Sequence, residues 1–240
     1  MWAAGVPPQD VLNCFDTIVV QGASFETELR GYSYRGDVRV LPYLPPLCGD
    51  PTPFPSPSVT RVGYLGRLAA QKNLAYLVQA FCVARRNGLD AELHIFGAGP
   101  ERGALQARAE QMGVSHLVCF HGSKAHREVP AAIDSCHMFA FTSISEGQCL
   151  AALEILARGR PVVATPVGAF PEFLSDGLLG TLAAPDQPEE FARSLVTVAR
   201  QIRENTFTPN GVQAAYRKRF PREQVIQGYV DLISECERPE

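Results

Sequence analysis

Between residues 61 and 164, short apolar runs alternate with amphipathic stretches of helical period, and that rhythm leaves few folds open. The apolar runs lie at 61–65, 93–96, 117–120, 138–141 and 161–164, and the amphipathic stretches at 74–86, 101–112, 130–135 and 148–157. Strand followed by helix at this spacing predicts parallel strands joined by right-handed crossovers. Near-continuous apolar runs predict strands covered on both faces. The expectation is an α/β protein built on a doubly wound parallel sheet, mostly helical from Gln187 onward and ending in a helix over 222–236.

A smaller pattern precedes this one. Residues 17–20 and 38–41 read as strands around a helix over 24–32, with Ser24 as N-cap and Glu26 and Glu28 in the first turn. Two strands and one helix cannot bury a core, so this βαβ unit reads as the last piece of a domain whose beginning is absent. Seven prolines in the sixteen residues 42–57 forbid helix and central strand, and read as a semi-rigid linker.

Composition narrows the partners. With 240 residues the chain suits one large domain or one and a half ordinary ones, and a net charge of −3 without a basic run argues against nucleic acid. The seven cysteines form no C-x-x-C pair, which predicts reduced thiols in a cytoplasmic protein rather than a zinc site. No apolar stretch reaches the 18 residues of a transmembrane helix, and residues 1–8 do not read as a signal peptide.

In an open parallel sheet, ligands bind at the carboxyl ends of the strands. The loops there are 66–73, 97–101, 121–124, 142–146 and 165–168. The first carries two cations: Arg67, which can grip phosphate oxygens bidentately, and Lys72, a movable point charge. The fourth leads into Glu146, and Glu154 follows eight residues later. All residues between them except Gln148 are small or apolar. With Glu146 at the helix start and Glu154 inside it, eight residues at about 1.5 Å rise put the two backbones roughly 12 Å apart. A carboxylate in an apolar helix needs hydrogen-bond donors, and sugar hydroxyls are such donors. Two plainer readings stand beside this: Glu146 as a first-turn acid favouring the helix dipole, and Glu154 paired with Arg158 at i+4. The N-terminus of the helix near Gln148 would supply a second anion site.

Other motifs fall away on spacing. Gly97, Gly99 and Gly103 imitate a dinucleotide fingerprint, but the third glycine is one residue late and no acid ends the next strand. The segment reads instead as a tight turn and a Pro-started helix. There is no D-x-D clamp, Walker A, H-E-x-x-H or G-x-S-x-G, and His121 alone of the five histidines lies in a crevice loop, where a local hydrogen bond is expected. Without a metal, a departing diphosphate needs cationic side chains and a helix N-terminus.

These residues resemble the donor-binding, C-terminal half of a retaining GT-B glycosyltransferase, with a Rossmann-like domain. Tyr64-Leu65-Gly66-Arg67-Leu68 with Gln71-Lys72-Asn73 resembles that family's G-R-L…K loop. Residues 94–101 resemble its G-x-G-P-E turn, Glu146 to Glu154 its E-x7-E motif, and Pro161-Val162-Val163-Ala164-Thr165 to Gly168 and Glu172 the strand and loop that follow. The resemblance implies that Gly66, Arg67 and Lys72 hold the donor diphosphate and stabilise the leaving group, largely electrostatically. It implies that Glu146 faces the transferred sugar and Glu154 the ribose. Backbone of Gly147, Gln148, Cys149 and Leu150 would meet sugar and phosphates, and His121 and Gly122 would meet the base. The partner is then a nucleotide sugar, UDP- or GDP-linked, as substrate, with no cofactor and no metal. Where the family has E-G-F-G-L, this chain has Gln148 and Cys149, and the latter adds a Cβ where backbone approaches ligand.

The implied organisation is 1–43 as a remnant of the N-terminal domain, 44–58 as linker and 59–205 as donor domain. Helices over 206–240 would return toward the N-terminal half. The acceptor site and any peripheral membrane contact of such enzymes lie on that missing half, so the chain by itself is expected to bind donor without transferring sugar. Two alternatives are a non-catalytic subunit needing a partner chain with the N-terminal domain, and a nucleotide-sugar epimerase of the same fold.

Overall fold

The computed structural model describes residues 9–43, 46, 49–56 and 58–236. In chain order it contains α1 (Gln9–Leu12), β1 (Thr17–Val20), α2 (Ala23–Gly31), β2 (Asp37–Val40), β3 (Thr60–Leu65), α3 (Leu74–Arg86), β4 (Ala91–Phe96), α4 (Arg102–Gln111), β5 (Val118–Gly122) and α5 (Val129–Asp134). It continues with β6 (Met138–Phe141), α6 (Leu150–Ala157), β7 (Val162–Ala164), α7 (Phe170–Leu174), β8 (Gly180–Leu182), α8 (Pro188–Arg203), α9 (Pro209–Arg219) and α10 (Arg222–Cys236).

Strands β3 to β8 form one sheet in the order β5-β4-β3-β6-β7-β8, and every pairing is parallel. The chain enters at the centre, steps out through β4 to β5, returns past β3 to β6, and steps out again to β8. That is the doubly wound sheet expected from the alternation. Met138, Phe139, Ala140 and Phe141 of β6 and all of β7 are buried. Helix α8 buries Phe191, Ala192, Leu195, Val198, Ala199 and Ile202, a stripe at helical spacing that packs on α3, while α9 packs on α6.

Coverage of both faces holds at the centre but fails at the β5 edge. Glu92, His94 and Cys119 are half-buried there and His121 is exposed. Short α5, six residues long, cannot cover the neighbouring strands. Strand β8 and helix α7 went unanticipated; at three and five residues both are too brief for periodicity to show.

Four local expectations need correction. Helix α6 starts at Leu150, because Cys149 is left-handed at φ 53°, ψ 78° and caps the helix. Glu146 therefore sits in the preceding loop, so neither the roughly 12 Å helical spacing nor the first-turn reading applies to it. Ser24 is not the cap of α2. Gly22 is, and the Ser24 N–H donates instead to Glu172 Oε1 at 3.1 Å. His121 belongs to β5 rather than to a loop. Pro100 lies two residues ahead of α4 rather than inside its first turn.

The smaller unit forms its own parallel pair, β1 with β2. It docks on the main sheet through Glu172 and through α10, where Tyr229 Oη donates to Pro42 O at 3.2 Å and Arg39 pairs with Glu235 at 3.0 Å.

The described linker residues contain neither helix nor strand. Arg160, fully buried just ahead of β7, holds the linker against the amino ends of the strands. Its guanidinium donates to Thr52 O at 2.9 Å, Thr52 Oγ1 at 3.0 Å and Pro53 O at 3.0 Å, and lies 5.1 Å over the Phe54 ring. Burial lowers its pKa to about 10, which still leaves it charged at neutral pH. Arg160→Leu strips these acceptors of their donor and is expected to cost about 3 kcal/mol in a urea unfolding experiment. An unchanged midpoint would show that water replaces the guanidinium without loss.

Candidate functional site

The winding direction reverses between β3 and β6, so the loops that leave these adjacent strands face each other. They are stitched together. Ile144 N donates to Gln71 O at 2.9 Å, and the buried Thr142 hydroxyl lies 3.1 Å from Lys72 O and 3.0 Å from Asn73 O. Asn73, left-handed at φ 49°, turns the chain from a 3-10 turn into α3 and leaves Lys72 pointing across the cleft.

Lys72 Nζ reaches Glu146 Oε1 at 2.6 Å, and Ser143 Oγ donates to the same oxygen at 2.7 Å. Thr165 Oγ1 in turn donates to Ser143 O at 2.7 Å. The Glu146 carboxylate is only 5% exposed and the Lys72 ammonium arm 17%, so this is a largely desolvated ion pair. Among the described residues nothing bonds Glu146 Oε2, which leaves it as a ready acceptor.

A second group surrounds an open crevice of about 320 Å³, lined by Gly66, Arg67, Gly97, Ala98, Ser123, Lys124 and Glu154 among others. The Arg67 guanidinium makes no ion pair among the described residues, and its backbone carbonyl is held by Tyr64 Oη at 2.9 Å. Burial raises the Glu154 pKa, with His126 opposing the shift. The i+4 partner considered for Glu154 is engaged elsewhere: Arg158 is bonded through Nε and Nη2 to Asp134. Glu154 thus faces the crevice as an acceptor without an ion partner among the described residues. A smaller cavity of about 110 Å³, shared with His126 and Arg158, lies on its other side.

The structure therefore divides the expected residues into two groups. Glu146 and Lys72 meet directly, while Gly66, Arg67 and Glu154 share the crevice. Gly122 O accepts from Gly97 N at 2.8 Å, tying the β5 end to the crevice wall. His121 stacks on Phe96 at 4.5 Å and shares a hydrogen bond of 2.9 Å with His94, the local satisfaction expected of it. His121 and Lys124 line an adjoining open space of about 560 Å³. Burial, with His94 and Lys124 nearby, lowers the His121 pKa.

In the loop 146–149, Gly147 O accepts from Ala169 N at 3.2 Å. Gln148 is buried, Leu150 is exposed, and the Cys149 thiol is pushed up to about 12 by burial and by Glu146, which makes it a poor nucleophile. Two participants escaped the sequence reading. Lys124 is a cation at a strand's carboxyl end and was open to the same rule that picked Arg67. Ser143 carries only the weak signal of a small hydroxyl three residues before a carboxylate.

Comparison with known proteins fits this geometry. Residues 59–201 match the family described as "Glycosyl transferases group 1". A 2-deoxystreptamine glucosyltransferase of Streptomyces kanamyceticus is 29% identical over 137 residues, covering 57% of this chain and 35% of that protein. An alpha-D-kanosaminyltransferase of the same organism is 30% identical over 129 residues, covering 54% and 33%. The chain thus spans about a third of the length of the curated relatives it matches. Among solved structures, S. aureus TarM in complex with UDP superposes with a TM-score of 0.83 at 16% identity, covering 93% of this chain and 45% of that one. Anabaena HepE in complex with UDP gives 0.80 at 21% identity, covering 95% and 68%.

Proposed function

Because the chain belongs to the glycosyl transferases group 1 family, we propose that it is the donor-binding part of a GT-B enzyme that moves a sugar from a nucleoside diphosphate to an acceptor with retention and without a metal. The observation that carries this reading is the pairing of a desolvated Lys72–Glu146 couple with a crevice holding Arg67, Lys124 and Glu154 at the switch point of the sheet. The crevice suits the nucleotide: Glu154 takes the ribose hydroxyls, while Arg67 and Lys124 take the diphosphate. Lys72 stands beside the leaving phosphate, and Glu146 Oε2 accepts from the sugar. The sequence has no D-x-D clamp, so these cations neutralise the departing diphosphate. Glu146 and Glu154 act as binding groups rather than as the acid and nucleophile of a retaining hydrolase, whose carboxyls lie about 5–5.5 Å apart.

Residues 1–43 belong, on this reading, to the domain that carries the acceptor site. A second reading, a non-catalytic subunit completed by a partner chain, is favoured by the β1–β2 pair, which exposes Phe15, Val40 and Tyr43.

Calorimetric titration with UDP, GDP and ADP tests the proposal, with UDP first because TarM and HepE hold it. One of the three is expected to saturate a single site. Glu154→Ala is expected to weaken it by roughly tenfold to a hundredfold, the worth of a charge-assisted hydrogen bond or two. Absence of binding to all three, or an unchanged affinity in Glu154→Ala, would refute the donor assignment.

A further inference from the structure

Gln148 is 2% exposed, lies two residues after Glu146, and is not among the residues that line the crevice. Its Oε1 accepts from Tyr43 N at 2.6 Å, and its Nε2 donates to Gln21 O at 3.4 Å. Gln21 follows β1 and Tyr43 follows β2, so a single carboxamide spans the carboxyl ends of both strands of the small sheet. Just before it the strand ladder closes, with Leu41 N donating to Val20 O at 2.8 Å. Such a bridge needs a donor and an acceptor on one planar group, which a carboxamide supplies without a charge at any pH. A buried carboxamide is costly unless both ends are bonded, so the contact is specific rather than incidental.

The loop that carries Glu146 is gripped from two sides. On one, Ala169 N bonds Gly147 O, and Gly168 packs so closely that a Cβ would stand 2.5 Å from both Glu146 O and Gly147 O. On the other is the Gln148 bridge. Left-handed Cys149 lies between the bridge and α6, so a shift of Gln148 is passed to the loop before it is absorbed by the helix.

We propose that Gln148 is a positioning residue that sets the Glu146–Lys72 pair according to where the 17–43 unit sits, so that a site on the main sheet reads the placement of the unit beside it. Its effect on ligand rests on the donor-binding reading; its effect on the loop does not. When the unit is docked, Gln148 holds Glu146 toward Lys72 and Ser143. When the unit moves off, the bridge breaks and the loop is released.

The test uses Gln148→Leu, which removes both bonds, and Gln148→Glu, which keeps volume and the acceptor. The first readout is amide hydrogen exchange without ligand. In Gln148→Leu, exchange at Tyr43 and across 143–147 is expected to rise together by about fivefold or more, the worth of one hydrogen bond. Exchange within β6 and α3 should stay at the wild-type rate. Faster exchange at Tyr43 alone, with 143–147 unchanged, overturns the coupling whether or not any nucleotide binds. The second readout is the pH dependence of UDP affinity for Gln148→Glu, as a ratio to wild type. The carboxylate repels Gln21 O, whereas the protonated acid can donate to it as the amide does. The ratio is expected to return toward one as pH falls through the pKa of the introduced acid, and a pH-independent ratio overturns the proposal. Should the wild type bind no nucleotide, the donor reading fails and the exchange comparison still decides the role of Gln148. Should Gln148→Leu fail to fold, the exchange of Gln148→Glu across the same pH range decides it instead.

Discussion

Lys72→Ala is expected to destabilise the protein by about 3 kcal/mol and to remove measurable nucleoside-diphosphate binding. An exposed ion pair would be worth about 0–1 kcal/mol and its loss would hardly register. Lys72 and Glu146 are different because both are largely withdrawn from water, with their charged atoms 2.6 Å apart. Removing the ammonium leaves a carboxylate with only 5% of its side chain exposed and the Ser143 hydroxyl as its remaining described donor. Most of the cost is that stranded charge rather than the lost attraction. The double variant Lys72→Met with Glu146→Gln separates the two effects. It removes both charges at similar volume, so urea unfolding should recover most of the stability, while calorimetry should still find no nucleotide affinity. A single variant that melts like wild type would show that the pair is solvated in solution, and the site would then need another arrangement of charges.

The same pair gives the proposed chemistry a definite starting point. Lys72 and Glu146 neutralise each other, while Arg67 and Glu154 stay without an ion partner among the described residues. A diphosphate that draws Lys72 away releases Glu146 at the moment a sugar hydroxyl is delivered beside it. Binding of the nucleotide half thereby prepares acceptance of the sugar half, at the cost of one ion pair exchanged for another.

Much of this was legible in the chain because periodicity marks strands that are buried on both faces. The βα rhythm named the sheet and its parallel sense, and the rule of carboxyl-end loops named Arg67, Lys72 and Glu146. What stayed hidden depends on contacts between segments far apart in sequence. Nothing local reveals that Lys72 and Glu146, 74 residues apart, meet across two loops. Nor does anything local reveal that Glu172, 148 residues away, accepts from Ser24 N at the start of α2. The start of α6 was missed because Cys149 adopts a conformation that glycine usually supplies; only the glycine that the resembled motif has at this position hints at it. The open face at the β5 edge was missed because strand runs reveal apolarity but not the length of the helix meant to cover them.

Gly97→Ala is expected to cost about 3–4 kcal/mol and to collapse nucleotide affinity, whereas Gly103→Ala is expected to add about 0.5 kcal/mol of stability. Both glycines belong to the segment that imitates a dinucleotide fingerprint, so the contrast tests what that segment is for. Gly97 sits at φ +148°, where side chains are strained, and a Cβ there would lie 1.8 Å from Gly66 O. Gly99 is equally confined, its Cβ falling 2.1 Å from Leu68 O. The turn after β4 is thus laid backbone on backbone against the loop after β3. Leu68 N reinforces the contact by donating to Ala98 O at 3.0 Å, and Gly97 N by donating to Gly122 O at 2.8 Å. Backbone cannot yield as a flexible side chain can, so a methyl at Gly97 forces the two loops apart. Gly66 and Arg67 move with them, and those residues form the crevice wall. Gly103 lies in the first turn of α4 with nothing within 4 Å of its Cβ direction, so alanine there simply favours the helix. If thermal melts place both variants on the same side of wild type, the close approach of the two loops is wrong, and with it the shape assigned to the nucleotide crevice.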